Sequence, residues 1–350
     1  MSLTATLTIA LDAMGGDNAP DAVVSGALIA QKRYPDVRFI MVGDESKIAP
    51  LLDRHSDLAK IVEIRHTVDT VSPDDSASTA IRSGRKSSMR LAIEEVEQGH
   101  ADGVVSGGNT GALMAFAKVV LRPLPGIDRP AMAGFIPTRR GERIMLDLGA
   151  NLVCSADNLV QFAILGEVFA RTVFGMVKPT VGLLNVGTEA QKGHESVREA
   201  AAVLRQSDLP IEFHGFVEGV DLGEGTVDVV VTDGWSGNIA IKTAEGTAKM
   251  FGGFVRESFR SSLLARFGYI FALSAFRKLR ARLDPRRYNG AIFLGVNGIA
   301  VKSHGGSDAL GFATAIGVAV DMARQGFIEK VKEEFERISP PATGIRAATV

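Results

Sequence analysis

Thr6-Leu-Thr-Ile-Ala-Leu-Asp-Ala-Met-Gly-Gly-Asp17 opens with a short apolar run, breaks at Asp12 into a glycine turn, and leads through the helical pattern Pro20–Arg33 to a second apolar run, Val37–Val42. Apolar run, helix, apolar run is the signature of a βαβ unit, with proline placed for the first turn of the helix. Working outward, strand-like runs recur at Ile61–Arg65, Gly103–Ser106, Arg143–Asp147, Thr180–Val186, Val227–Thr232 and Ala291–Leu294, most of them followed by a Gly/Asn-rich turn and a helix. The expected fold is α/β, a doubly wound, largely parallel sheet. Ligands of such sheets collect beyond the carboxyl ends of the strands. One large unit is expected over residues 1–325, with a C-terminal helix and tail over 326–350, and the acidic stretch Asp69–Ser78 reads as a solvated connector.

The chain has 350 residues and a formal net charge of −1, which gives no argument for a nucleic-acid binder or for an acidic disordered protein, and no nucleic-acid partner is expected. Cys154 is the only cysteine, so an internal disulfide and a cysteine-based metal cluster are both excluded, and a reducing compartment, the cytoplasm, is expected. Leu7–Leu11 has no Lys or Arg before it and reads as a strand rather than a signal sequence. No window supplies the roughly 20 apolar residues of a membrane span, so membrane contact, if any, is peripheral.

Five polar segments fall at expected strand ends: Asp12–Asp17, Ser106-Gly-Gly-Asn-Thr-Gly111, Asp147-Leu-Gly-Ala-Asn151, Asn185-Val-Gly-Thr188 and Thr232-Asp-Gly-Trp-Ser-Gly-Asn238. Glycine lets backbone approach a ligand and turn N–H groups toward it, while Asn, Ser and Thr add neutral donors and acceptors. Ser106–Gly111 is the best anion cradle, because the helix starting near Thr110 offers free N–H groups and the positive end of its dipole. Ser303-His-Gly-Gly-Ser-Asp308 repeats that logic before a helix over Ala309–Gln325. Neither loop is a Walker motif, the dinucleotide fingerprint is missing after the first strand, and no Gly-x-Ser-x-Gly elbow occurs, so a covalent acyl-enzyme has no evident nucleophile. Lys192, Lys242 and the Arg82, Arg85, Lys86 cluster are the cationic candidates. Asp12, Asp17, Asp147 and Asp233 are suited both to Mg²⁺ and to capping loops; no metal is assigned to them.

Lys249–Arg287 carries ten Lys/Arg against Glu257 and Asp284, interleaved with Phe251, Phe254, Phe259, Leu263, Leu264, Phe267, Ile270, Phe271, Phe276 and Leu279. A basic amphipathic helical segment of this kind suits an anionic membrane surface, a dimer contact or an acidic partner protein.

These same segments, Asp12–Asp17 with Asn18-Ala-Pro20, Ser87-Ser-Met89, Ser106–Ala112, Leu183–Gly193, Val231–Asn238 with Lys242 and Glu245-Gly246, and Gly295 with His304-Gly305, resemble the PlsX family of phosphate acyltransferases over roughly residues 7–325. The resemblance implies a fold similar to the isocitrate and isopropylmalate dehydrogenases and to phosphotransacetylase. It implies a homodimer that makes acyl phosphate from acyl-acyl carrier protein and inorganic phosphate without a cofactor. The product would pass to a membrane glycerol-3-phosphate acyltransferase, and the protein would lie peripherally on the inner face of the membrane through residues such as Phe254, Phe267, Phe271, Arg277, Lys278 and Arg280. The expected phosphate ligands are Ser106, Gly107, Gly108, Asn109, Thr110 and Gly305. Asn109, Lys192, Lys242 and His304 are expected in catalysis, and Asp12, Asp17, Asp147, Asn151, Asn185, Asp233 and Asn238 in ordering the site. The rival readings are a metal-dependent dehydrogenase of similar fold and a non-catalytic, membrane-recruited scaffold that binds phosphate.

Overall fold

The computed structural model describes residues 6–338 except 207, 208, 210 and 283, with the side chains of 280–282, 285 and 338 also outside the described set. The chain opens with β1 (Thr8–Asp12), α1 (Asp21–Arg33), β2 (Arg38–Gly43), α2 (Glu45–Leu52), α3 (Ser56–Ala59), β3 (Val62–His66), α4 (Ala77–Ser83), α5 (Ser88–Glu97), β4 (Gly103–Ser106) and α6 (Thr110–Val120). Then come β5 (Ala131–Thr138), β6 (Gly141–Leu146), α7 (Ala156–Phe174), β7 (Thr180–Leu184), α8 (Glu195–Gln206), β8 (Glu212–Val217), α9 (Gly219–Glu224) and β9 (Val229–Val231). The chain closes with α10 (Gly234–Arg260), α11 (Leu263–Arg282), a 3₁₀ turn Pro285–Tyr288, β10 (Ala291–Leu294), β11 (Ile299–Lys302), α12 (Ala309–Arg324) and α13 (Phe327–Ile338). Residues 339–350 of the expected tail lie outside the described residues.

The eleven strands form one mixed sheet in the order β3-β2-β1-β4-β11-β10-β5-β6-β9-β7-β8. Strands buried on both faces alternate their side chains between two apolar layers. Ile9, Leu11 and Val105 join the layer built from α1, α7, α12 and α13, while Ala10 and Val104 join the layer under α5 and α6. On that second face a smaller cluster, Ile136, Met145, Val217 and Val230, lies under α9 and the start of α10. The sheet is thus doubly wound and largely parallel, as expected from the alternation of runs.

Three pairings break the parallel pattern: β11 with β10, β10 with β5, and β5 with β6 all run antiparallel. β1 to β4 and β11 therefore run one way, and β6, β9, β7 and β8 the other. The carboxyl ends of the two groups point to opposite edges. Sequence alone gives no sign of this reversal, because β5, β8 and β11 lie outside the runs singled out as strands, and β5 and β11 are two of the strands that turn the sheet.

The basic segment forms two helices rather than one. α10 leaves the sheet after Gly234 and Gly237, its only buried residues, and α11 follows it after Ser261 and Ser262. Phe259 of α10 packs ring against ring with Tyr269 and Phe276 of α11. Those rings hold the two helices together. Phe251, Phe254, Leu264, Phe267, Ile270 and Phe271 remain exposed, Phe271 at 87 %.

Candidate active site

Three loops meet at the carboxyl edge of β1, β4 and β11: the turn after Asp12, the turn after Ser106 and the turn after Lys302. In-register pairing of Lys302 with Ser106 sets them side by side. Their glycines make the approach possible. A Cβ on Gly107 would lie 2.7 Å from the Gly15 carbonyl oxygen, and one on Gly15 would lie 2.3 Å from a carboxylate oxygen of Asp12. The backbones interlock further through Asp17 N–H, which donates to Gly305 O at 2.9 Å.

Between the loops is a cavity of about 820 Å³, lined by Asp12, Gly15, Gly107, Thr110, Lys302 and Gly305 among others. Asp12 is buried beneath it. Ser88 donates to one of its oxygens and Ser106 to the other, both at 2.6 Å. Burial pushes the Asp12 carboxyl above its ordinary range against these hydrogen bonds and nearby Lys302. Ser106, expected to bind phosphate through its side chain, is fully buried and occupied with Asp12, while its oxygen also accepts from Gly108 N–H at 3.1 Å. Its hydroxyl therefore orders the floor instead of facing a ligand.

Asn109 caps α6. Its side-chain oxygen accepts from Ala112 N–H, and its amide donates to Pro73 O and Asp75 O at 2.7 and 3.0 Å. The stretch read as a plain connector, Asp69–Ser78, is thus tied to the anion cradle, and its Thr70–Pro73 and Asp75 wall the cavity. With Ala112 capped and Leu113 N–H bonded to Asn109 O, the exposed first-turn N–H groups of Thr110 and Gly111 are the donors at the helix start.

Lys302 escaped the sequence reading, because a lysine at the end of an apolar run has no motif around it. Only 8 % of it is exposed, and its ammonium donates to Gly107 O at 3.3 Å and to Ser303 O. Burial pushes its pKa down to about 8, against the pull of Asp12 and Asp17. Asn289 was also missed. Its amide donates to Ser303 Oγ, Ser307 Oγ and Gly311 O, and its oxygen accepts from His304 N–H, so it shapes the third loop. His304 is exposed, with Nδ1 accepting from Gly306 N–H.

The remaining expected residues form a second cluster at the opposite edge, on loops after β6, β9 and β7, four to six strands from the β4 of Ser106, which is about 19 Å or more across the sheet at the usual strand spacing. Asp147 accepts five hydrogen bonds there, from Met132, Gly149, Ala150 and Asn151 backbone N–H groups and from the Asn151 side chain. Asp233 caps α10 through Ser236 N–H at 2.7 Å. Asn238 packs against Gly149, and Asn185 donates to Gly187 O and Lys192 O. Lys192 and Lys242 are exposed. Within one chain these lysines do not reach the cavity at the other edge, which corrects their placement beside the Ser106 cradle. Cys154 belongs to this second cluster, buried, with its pKa pushed up to about 12 by burial and by Asp147 and Asp233.

Residues 7–330 match a family model described as fatty acid synthesis protein. Phosphate acyltransferases from Rhodospirillum centenum and Rhodospirillum rubrum are 63 % and 60 % identical over 330 and 333 residues. These alignments cover 94 % and 95 % of this chain and 93 % and 95 % of the relatives. Among solved structures, a phosphotransacetylase from Streptococcus pyogenes superimposes with a TM-score of 0.63 at 18 % identity, covering 91 % of this chain and 94 % of its own. EutD phosphotransacetylase from Staphylococcus aureus gives 0.60 at 19 %, with the same coverage. At that identity these two neighbours speak for the fold.

Proposed function

The chain belongs to the phosphate acyltransferase family, and we propose that it carries a fatty acyl group from acyl carrier protein onto inorganic phosphate, releasing free carrier thiol and an acyl phosphate for phospholipid synthesis. The observation that carries this reading is the cavity itself. A helix start with free N–H groups faces a buried ammonium, while the one thiol of the chain is buried elsewhere and held protonated. Phosphate, substantially dianionic near neutral pH, attacks a thioester without a strong base, so such a site needs no nucleophile of its own. Thr110 and Gly111 N–H groups would receive the phosphate oxygens, with Gly107, Gly108 and Gly305 keeping the backbone close. Asn109 holds the rim and Asp12 orders the floor. Preorganised donors then stabilise the tetrahedral oxyanion.

In this reading the protein is a cytoplasmic homodimer. Leu152, Val153, Val186, Trp235 and Ile239, each more than half exposed, ring the second loop cluster and form the kind of apolar patch that partners cover. A twofold dimer that set this cluster against the partner's cavity would bring Lys192, Lys242, Asn185 and Asn238 to the phosphate. Among the described residues no helix is long and apolar enough to cross a membrane. The exposed rings of α10 and α11, flanked by Arg256, Arg260, Arg266, Arg277 and Lys278, support peripheral contact with an anionic inner face. There the product would pass to a glycerol-3-phosphate acyltransferase. The side chain of Arg280 lies outside the described residues.

The test is free-thiol release from palmitoyl-acyl carrier protein, with and without phosphate and with EDTA present. Phosphate-dependent, EDTA-resistant release with acyl phosphate formed is expected. Release that needs a metal, or none from folded protein, would sink the reading.

A further inference from the structure

We propose that Lys302 is the acid–base residue of the transfer, its ammonium holding the phosphate against the thioester and protonating the departing sulfur. The inference rests on the acyl-transfer reading and concerns the same cavity. Lys302 is the one Lys or Arg among the cavity-lining residues, and β11 brings it into line with Ser106 beside the start of α6. It holds two carbonyls, Gly107 O and Ser303 O, both in loops that wall the cavity. An ammonium has three donors, so one remains for a ligand.

The step balances. Phosphate attacks the carbonyl carbon, the C–S bond breaks with its electron pair going to sulfur, and Nζ gives sulfur a proton. The resulting amine takes the proton of the phosphate hydroxyl. Acyl phosphate dianion, free thiol and lysine ammonium result, so the enzyme ends in its starting protonation state. In the tetrahedral intermediate an alkyl thiolate, more basic than phosphate, is the poorer of the two leaving groups, which is where a proton donor to sulfur matters.

The charged groups around Lys302 are Asp12 from the end of β1, Asp17 from the following turn and Asp75 across the cavity. Asp308 is tied to Arg286 at 2.9 Å. Burial outweighs the two nearby carboxylates and brings the ammonium down to about 8, so it is charged at neutral pH yet parts with its proton readily.

The experiment compares Lys302→Arg and Lys302→Met with the native enzyme on an alkyl thioester of acyl carrier protein and on an aryl thioester, whose thiolate leaves without a proton. Native enzyme should lose kcat as pH rises through about 8. Both variants should lose about 10²–10⁴-fold in kcat on the alkyl thioester. Arginine keeps its proton throughout this range, so the Arg variant should hold the KM for phosphate near native while its high-pH limb disappears. On the aryl thioester most of the loss should vanish. Equal losses on both thioesters, or a Lys302→Arg enzyme with native kcat, would overturn the assignment. If Lys302→Met does not fold, the Arg variant and the native pH profile decide. Native enzyme that shows no phosphate-dependent release at all fails the acyl-transfer reading itself, a result visible before any variant is made.

Discussion

Replacing Phe267 and Phe271 together by glutamate should detach the protein from anionic vesicles while leaving its fold untouched. The two rings lie one turn apart on α11, 64 % and 87 % exposed, and belong to none of the packed apolar clusters of the core. A fully buried phenylalanine gains about 1.5–3 kcal/mol, so two rings with roughly three-quarters of their surface still to bury supply about 2–4 kcal/mol of insertion. Two carboxylates near an anionic leaflet add a penalty of about 1 kcal/mol each. The total of about 4–6 kcal/mol corresponds to a 10³–10⁴-fold fall in partitioning. The assay is co-sedimentation with phosphatidylglycerol-containing vesicles over a lipid titration, with thermal melting and size-exclusion chromatography as checks on fold and assembly. Phe276→Glu is the contrast, because that ring lies against Phe259 and Tyr269 at 5.0 and 5.2 Å and its loss should loosen the contact between α10 and α11. Vesicle binding by the double variant within threefold of native, with the fold intact, would refute an interfacial role for α11.

Asp147→Asn should cost about 3–5 kcal/mol in urea denaturation, since an amide in place of one carboxylate oxygen turns the bonds from Asn151 N–H at 2.6 Å and Asn151 Nδ2 at 2.9 Å into donor against donor; a loss under 1 kcal/mol would show that the loop relaxes freely. Cys154, with its thiol pushed up to about 12, should react with a disulfide reagent at pH 8 about a thousandfold more slowly in native protein than in urea, and equal rates would contradict its burial. Mixed Lys192→Ala and Lys302→Met protomers should recover about a quarter of native activity if each site takes its cavity from one subunit and its second cluster from the other. No recovery over the homodimeric variants would place both lysines in the same subunit's site.

Much of this protein is local enough to read along the chain. The βαβ rhythm of Thr6–Val42 follows from apolar runs whose length and boundaries suit strands buried on both faces, and the structure keeps it with shifts of a residue or two at the ends. The loop and helix start at Ser106–Thr110 were legible for the same reason: glycines at 107 and 108, Asn109 and a helix from Thr110 are neighbours in sequence, and the cap from Asn109 to Ala112 is local. What only tertiary structure decided is which of the glycine loops share a site. Their carboxyl-end positions look equivalent in sequence, but the antiparallel run β11-β10-β5-β6 reverses half the sheet and sends Asp147, Asn185 and Asp233 to the far edge. The same pairing sets Lys302 beside Ser106, nearly two hundred residues away, where burial in a cavity wall pulls the pKa of an ordinary lysine down to about 8. Strand direction is set by long-range hydrogen-bond pairing, and a side chain's electrostatics by what packs around it. Neither quantity is a property of any window of sequence.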